Sequence, residues 1–179
     1  ITIAGIASGA SISLASGSAL ESYVHIGHGG TSTNTSLLSG AISLSNISGL
    51  SLGNGAQYSQ VGHSGTGGTL SGDITISMAG TSRNIQLFGS GGYTQIGHGG
   101  NDLTSSAVSG NIRIQNLTGS LTMSPSSGPV RIGHGGKGFK STTNNPLPST
   151  ATLFGGISGL GTGFLVTIGN GWTANCTGT

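Results

Sequence analysis

A motif of eight residues recurs along the 179-residue chain at a nearly constant spacing. Its copies are YVHIGHGG from Tyr23, YSQVGHSG from Tyr58, YTQIGHGG from Tyr93, PVRIGHGG from Pro129, and a weaker LVTIGNGW from Leu165. The apolar residues that precede the first motif glycine are separated by 35, 35, 36 and 36 positions. A fixed period of this size is typical of repeat proteins, in which each unit is stable only when it packs against its neighbours.

Two further segments of each repeat alternate apolar with polar residues, which is the pattern of a half-buried strand. The apolar pairs of the first segment are Ile42 and Leu44, Ile74 and Ile76, and Ile112 and Ile114, with Ile1 and Ile3 as a truncated copy. Those of the second are Ile12 and Leu14, Leu50 and Leu52, Ile85 and Leu87, and Leu121 and Met123. The motif supplies a third strand, so each repeat is predicted to contain three.

Three strands in each repeat predict an all-β fold, a parallel β-helix (β-solenoid) with three strands per coil. We expect one domain over residues 1–179, with about five coils of 35–36 residues at approximately 1–35, 36–70, 71–105, 106–141 and 142–179. The 37 glycines suit the coil corners, because glycine readily adopts a positive φ. A β-propeller is the alternative, but its blades need four strands and its signature motifs are absent from the sequence.

The composition excludes several classes of function. Only five residues are Lys or Arg and three are Asp or Glu, whereas an ordinary domain has about 25% charged residues. Five scattered cations cannot form a nucleic-acid surface, and no apolar run approaches the ~20 residues of a membrane span. The three acids, Glu21, Asp73 and Asp102, fall in different segments and form no catalytic carboxylate pair. The sequence therefore predicts a protein that is not an enzyme and needs no cofactor.

Two columns of residues are predicted along the motif, about 4.8 Å from one coil to the next. The core column is Ile26, Val61, Ile96, Ile132 and Ile168, and the second column is His28, His63, His98, His134 and Asn170. Alternation turns the histidines inward, so we expect a hydrogen-bonded ladder that satisfies backbone groups at a corner. A metal array is the alternative, but Asn170 cannot replace imidazole as a transition-metal ligand, so no metal is predicted.

Other positions of the repeat carry further predictions. The outward residues of the motif strand are His25, Gln60, Gln95, Arg131 and Thr167, and Gln60 and Gln95 are expected to stack their amides on the surface. Tyr23, Tyr58 and Tyr93 predict an aromatic stack, with a carbohydrate-binding strip as the alternative. Asn46 and Asn116 begin N-x-Ser/Thr sequons at equivalent points of their repeats and are the positions where glycosylation would be expected.

The segments YTQIGHGG and SGDITIS resemble the repeats of filamentous-haemagglutinin-like and autotransporter-type bacterial surface proteins. The resemblance covers essentially the whole chain through four good copies of the motif and one poor copy. It implies a right-handed parallel β-helix, secretion to the cell exterior or cell surface, and a structural or adhesive role. The motif is more specific to an architecture than to a function, because solenoid repeats recur in many surface proteins.

The length corresponds to about five whole coils, so a second copy placed after the first would continue the period almost unbroken. Solenoids normally need polar caps, and no amphipathic cap is recognisable at either end of the sequence. We therefore expect a head-to-tail homopolymer, an extracellular filament, with subunit contacts at Ile1, Ile3, Trp172 and Cys176. The alternative is a fragment of a secreted adhesin that binds glycans or a host or cell surface.

Overall fold

The computed structural model describes residues 1–5, 9–15, 17, 22–30, 34–53, 58–81, 83–89, 93–99, 107–125, 130–134 and 165–168. Over these residues the fold is all-β, and every pair of neighbouring strands is parallel. The strands are β1 (Thr2–Ala4), β2 (Ser11–Leu14), β3 (Tyr23–Ile26), β4 (Asn34–Ser39), β5 (Ile42–Ile47), β6 (Gly49–Leu52), β7 (Tyr58–Val61), β8 (Gly67–Ser71), β9 (Ile74–Met78), β10 (Asn84–Gly89), β11 (Thr94–Ile96), β12 (Ala107–Ser109), β13 (Ile112–Gln115), β14 (Ser120–Pro125), β15 (Val130–Ile132) and β16 (Leu165–Ile168).

The strands form four sheets that run the length of the stack. Sheet A has the order β1-β5-β9-β13, sheet B the order β2-β6-β10-β14-β16, sheet C the order β3-β7-β11-β15, and sheet D the order β4-β8-β12. In sheet A, Ile42 pairs with Ile74, and Ile74 pairs with Ile112, each in the next coil. This in-register pairing of equivalent strands confirms the predicted parallel β-solenoid.

Sheet D is a fourth strand position that the sequence analysis missed. Its strands share one apolar position, which is occupied by Leu38, Leu70 and Val108 in register with one another. A single apolar position cannot show the alternation that identifies a strand in a sequence. The coil therefore has four strand positions where the pattern predicts three.

The core consists of columns of aliphatic residues that face the interior of the stack. Ile26, Val61, Ile96 and Ile132 lie in register in sheet C, and Val61, Ile96 and Ile132 are buried. Burying one such side chain stabilises the fold by roughly 1.5–3 kcal/mol relative to exposing it. The columns of sheets A, B and C pack against one another as one hydrophobic core.

Ile168 does not continue the column of Ile132 as predicted. The strand β16 pairs with β14 in sheet B, and Ile168 lies opposite Met123. The physical reason is that an alternating segment such as LVTI fits either sheet, and in this register Val166 is paired with Leu121. The fifth motif has Asn170 in place of the corner histidine, so its sequence distinguishes the two sheets less well than the other copies do.

A column of glycines follows sheet C at the corner of the coil. A Cβ atom on Gly27 would overlap the carbonyl oxygen of Gly62, one on Gly62 that of Gly97, and one on Gly97 that of Gly133. The φ angles of Gly62, Gly97 and Gly133 are 152°, 149° and 147°, a region that favours glycine. Close approach and backbone conformation therefore both require glycine at this corner.

Gly97→Ala should destabilise the protein by about 3 kcal/mol or more, because its methyl group must displace the backbone of the next coil and the φ angle is strained. Urea unfolding followed by circular dichroism measures the change. Gly17→Ala is the matched control, since a Cβ there would approach Ser22 no closer than 3.8 Å and Gly17 has no positive φ. Equal effects of the two substitutions would contradict the packing argument.

Ser59 carries a buried hydroxyl group without a hydrogen-bond partner, in a column of sheet C that runs from Val24 through Ser59 and Thr94 to Val130. An unpaired buried hydroxyl costs about 1–3 kcal/mol, and valine has a similar shape without the polar atom. Ser59→Val should therefore raise the free energy of unfolding by about 1 kcal/mol in the same urea experiment. A loss of stability of that size would show that the hydroxyl has a partner in solution.

Candidate functional site

The most unusual chemical feature is a column of histidines at the corner between sheets C and D. Each strand of sheet C ends at an apolar residue, and the next two residues are the corner glycine and a histidine. Each strand of sheet D is followed by another glycine with positive φ, at Gly40, Gly72 and Gly110. We call His28, His63, His98 and His134 the histidine ladder; Asn170, its predicted fifth member, lies outside the described residues.

Every described step of the ladder has the same hydrogen bond between a backbone amide and an imidazole. The N–H of His28 donates to Nδ1 of His63 at 3.1 Å, that of His63 to Nδ1 of His98 at 2.9 Å, and that of His98 to Nδ1 of His134 at 3.0 Å. Each histidine side chain therefore accepts a hydrogen bond from the backbone of the preceding coil. A corner amide that would otherwise be buried without a partner is satisfied in this way.

The second ring nitrogen binds a carbonyl of that same preceding coil. The distances from Nε2 to the glycine oxygen are 2.8 Å for His63 and Gly40, 2.7 Å for His98 and Gly72, and 3.0 Å for His134 and Gly110. Because a carbonyl only accepts, Nε2 carries the proton and Nδ1 the lone pair, and the rings are neutral. The imidazole joins the ends of two sheets and satisfies one donor and one acceptor.

The rings also stack on one another. The centroids are 5.1 Å apart for His28 and His63, 4.7 Å for His63 and His98, and 4.9 Å for His98 and His134, with interplanar angles of 23°, 6° and 9°. His63 and His98 are fully buried, His134 is half-buried, and His28 at the N-terminal edge is exposed. The stacking distance matches the spacing of strands in a sheet, about 4.8 Å.

Burial keeps the inner imidazoles uncharged. Desolvation lowers the pKa of His98 to about 4, although its hydrogen bond to Gly72 acts in the opposite direction. Burial likewise lowers the pKa values of His63 and His134, against the effect of their bonds to Gly40 and Gly110. The neighbouring rings add a repulsive effect on His63 and His98, because a charge on one imidazole disfavours a charge on the next.

The hydrogen bonds leave the ladder poorly suited to bind a metal. Both nitrogens of His63, His98 and His134 are engaged with backbone groups, so a metal ion would have to displace a corner amide or carbonyl. In the part of the chain that the structure describes, no group of three or more His, Cys, Asp or Glu could hold a metal ion. The histidine rings therefore form hydrogen bonds to backbone groups, which is the arrangement expected of a structural ladder.

The glutamines of the motif strand are buried, which corrects their predicted place on the surface. Gln60 and Gln95 are 2% and 1% exposed. Nε2 of Gln60 donates to carbonyls of His63, Gly97 and Gly99, and Nε2 of Gln95 donates to those of His98 and Gly133. The backbone of the corner turns around each amide, so that the side chain bonds to corner carbonyls. The glutamine amides thus connect the corner backbone of their own coil to that of the next coil in the C-terminal direction.

The tyrosine column changes in character along the stack. Tyr23 pairs in register with Tyr58, and the rings of Tyr58 and Tyr93 are 4.8 Å apart at an angle of 34°. Tyr93 is buried, its hydroxyl donates to Oε1 of Gln60 at 2.9 Å, and burial raises its pKa to about 12. Tyr23 is 48% exposed and stacks on His25 at 5.6 Å. A continuous strip of exposed rings for a sugar is therefore not formed by these three residues.

Asn46 and Asn116 occupy equivalent corners after sheet A and share an unusual backbone. Both are exposed, with φ angles of 57° and 58°. Asparagine is one of the few residues that adopt this left-handed conformation readily. Nδ2 of Asn46 also donates to the carbonyl of Gly5 at 2.6 Å. Both residues thus have a conformational role that does not depend on a glycan.

The predicted subunit contacts are only partly within the described residues. Ile1 and Ile3 lie at the N-terminal edge of sheet A and are 42% and 37% exposed. Trp172 and Cys176 lie outside the described residues. The glycines that follow sheet D are further members of the site, because their carbonyls accept hydrogen bonds from the ladder. In the sequence they are marked by a Ser-Gly pair that recurs at Gly40, Gly72 and Gly110.

Comparison of the chain with protein-family models, with curated proteins and with solved structures finds no match. Within the described ranges, no helix is long and apolar enough to cross a membrane.

Stability should fall as the pH is lowered from about 6.5 toward 4. The folded-state pKa values of His63, His98 and His134 lie below the ordinary 6.5, so the unfolded chain binds more protons in this window. The stabilising effect is complete above pH 6.5 and decreases by up to about 1.4 kcal/mol per pH unit for each imidazole. Urea unfolding at a series of pH values measures this dependence.

His98→Asn is the matched variant, because asparagine can accept and donate hydrogen bonds but does not titrate in this range. We expect it to have a shallower pH dependence than the unsubstituted protein. If stability were constant between pH 6.5 and 4, or rose on acidification, the neutral ladder would be ruled out.

Proposed function

We propose that this protein is a non-enzymatic, extracellular structural protein whose coils stack end to end into a filament. The observation that carries the proposal is the in-register pairing of equivalent strands, which continues from coil to coil in every sheet. In every sheet the strand of the first coil, β1, β2, β3 or β4, is the edge strand among the described residues. An edge of this kind presents backbone donors and acceptors to any strand of matching register.

The side chains at this edge are apolar. Ile1, Ile3, Tyr23 and Leu37 are the exposed large hydrophobic residues of the described chain, and all four belong to the first turns of the stack. Ile12, Leu14 and Ile26 are only partly buried against the core. Apolar surface that adjoins a row of backbone groups favours association with another β structure.

A coil with the apolar pattern of β5, β6 and β7 would fit this edge. Within the stack Ile3 pairs with Leu44, Ile12 with Leu50, and Ile26 with Val61, so apolar positions consistently meet apolar positions of the next coil. A second copy could extend these columns with the same pairing. The resulting contact joins different surfaces of the two copies and therefore produces an open polymer unless the rotation closes a ring. Five coils would add about 24 Å per subunit.

The chemistry of the surface supports a structural role. Asp73 is the carboxylate of the described residues, and its Oδ1 accepts from the backbone N–H of Asn111 at 2.8 Å and from its Nδ2 at 3.1 Å. That carboxylate is used to connect coils. A surface with few charges also favours the lateral association of filaments. The extracellular location follows from the resemblance to secreted β-helix proteins.

A second candidate is an adhesin segment that binds glycans. A groove of about 280 Å³ crosses the outer face of sheet B, lined by Ser13, Ser51, Asn84 and Gln86 among others. Hydroxyl and amide groups of this kind can bond to the hydroxyls of a sugar. A soluble monomer that binds glycans through this groove would favour this function over the filament.

The filament is tested by electron microscopy and light scattering of the purified chain, with two lysine variants of β1. Ile3→Lys should abolish end-to-end association, because it places a charge in the apolar column that a second copy must cover. Thr2→Lys is the control: Thr2 pairs with Ser43 and belongs to the other face of the same strand, so assembly should persist. Circular dichroism verifies that both variants keep their β structure.

Three results would contradict the proposal. The unsubstituted chain could remain a monodisperse monomer under native conditions. Ile3→Lys could form filaments as well as the unsubstituted chain does. Thr2→Lys could block assembly to the same extent as Ile3→Lys, which would make the effect one of charge alone.

A further inference from the structure

The sheet D strand of the second coil belongs to a segment whose two ends are held by one imidazole ring. The segment follows His63 and precedes Gly72, and we call residues 64–71 the sheet D strap. Nδ1 of His98 accepts the backbone N–H of His63 at 2.9 Å, and Nε2 of the same ring bonds to the carbonyl of Gly72 at 2.7 Å. The ring of His98 therefore closes the strap into a loop.

The other described rings repeat this arrangement in their own coils. The ring of His63 joins the N–H of His28 to the carbonyl of Gly40, and the ring of His134 joins the N–H of His98 to the carbonyl of Gly110. Each ring thus closes the segment that contains one strand of sheet D.

Apart from this ring, the strap has little apolar packing. Leu70 is its buried apolar side chain, and it lies outside the hydrophobic core that sheets A, B and C form together. Three of the eight strap residues, Gly65, Gly67 and Gly68, are glycines, which gain more conformational freedom on release than other residues do. A segment with few buried apolar contacts is where local opening requires the least free energy.

We propose that the sheet D strap is a pH-dependent closure: neutral His98 holds it in place, and protonated His98 releases it while sheets A, B and C stay packed. A doubly protonated imidazole has no lone pair at Nδ1, so two N–H groups would face each other where the bond to His63 now lies. The ring then cannot hold both ends of the strap. The inference concerns one copy of the chain and does not depend on the filament.

Burial of the ring sets the direction of the effect. His98 is fully buried, and desolvation lowers its pKa to about 4, although its hydrogen bond to Gly72 acts in the opposite direction. A ring that opening releases into water returns toward the ordinary pKa of about 6.5. The open strap therefore binds the proton more tightly, and by linkage acid favours opening. The closure has its full strength above pH 6.5 and loses it as the pH falls toward 4.

The described charged groups around His98 act mainly in the same direction. His63 and His134, whose rings stack on either side, disfavour a charge on His98, whereas Asp73 favours it to a smaller extent. The strands β8 and β12 of sheet D have no titratable side chain. The other titratable or charged side chains of sheet C next to the inner ladder are Tyr58, Tyr93 and Arg131.

The corner between sheets A and B is held by groups that do not titrate in this range. Nδ2 of Asn46 donates to the carbonyl of Gly5 at 2.6 Å, and Oδ1 of Asn84 accepts the N–H of Ser120 at 2.8 Å. Sheets A and B also contribute most of the buried aliphatic core. Mild acid should therefore open the strap before it disrupts these sheets.

Hydrogen–deuterium exchange of the purified full chain, followed by mass spectrometry of its peptides, measures the opening at about pH 7.5 and about pH 5. After correction for the intrinsic pH dependence of exchange, opening of residues 64–71 should increase by roughly 30-fold, which is tenfold for each pH unit below about 6.5. Strand β9 (Ile74–Met78) in sheet A is the internal reference and should keep its protection. An ordinary carboxyl group is still ionised at about pH 5, so the change reports on imidazole.

His98→Asn removes the titrating ring of this strap, so exchange in residues 64–71 should no longer depend on pH after the same correction. His134→Asn is the matched control, because it leaves the bonds of His98 to His63 and Gly72 in place, and the strap should keep its pH dependence.

Three outcomes would overturn the inference. The strap and β9 of the unsubstituted chain could lose protection together in acid, or the strap could be equally protected at both pH values. His98→Asn could also retain the pH dependence of the strap. The first two outcomes are read from the unsubstituted chain and do not depend on how well a variant folds.

Discussion

The whole structure depends on the pairing of each strand with its equivalent one coil away. Parallel pairing in register places the same chemical group at the same height in every coil, so any group that bonds to its own kind can do so along the entire stack. At the corner, imidazole provides an acceptor, a donor and a flat face, and all three are used at once. The backbone can turn there without leaving buried polar groups unpaired.

The same regularity accounts for the scarcity of charge. A charged residue at an outward position repeated in every coil would face its copies at about 4.8 Å, and like charges directly opposite each other are destabilising. The outward column of sheet A contains Thr2, Ser43, Thr75 and Arg113, so a cation occurs once and hydroxyl groups fill the other places. The composition is thus a consequence of the architecture.

The sequence predicts the solenoid and the membership of its main columns because period and alternation encode register directly. It does not reveal sheet D, since one apolar residue per strand leaves no pattern around Leu70. It misplaces Gln60 and Gln95, because alternation gives the direction of a side chain relative to its strand and says nothing about a corner that turns back over it. The bonds from Nε2 of His98 to Gly72 join segments far apart in the repeat, and no local signal predicts which carbonyl lies within reach.

The glycine column from Gly27 to Gly133 has a consequence for how such a protein can change in size. The connections between sheets vary, with eight positions from Leu44 to Leu52 and eleven from Ile76 to Leu87, while the corner keeps a glycine opposite a glycine. Duplication or deletion of one whole coil preserves every such pairing, whereas a single inserted residue within the corner disrupts the coils on both sides. Changes in length are thereby confined to whole coils and to the connecting loops, while the glycine corner keeps a fixed length.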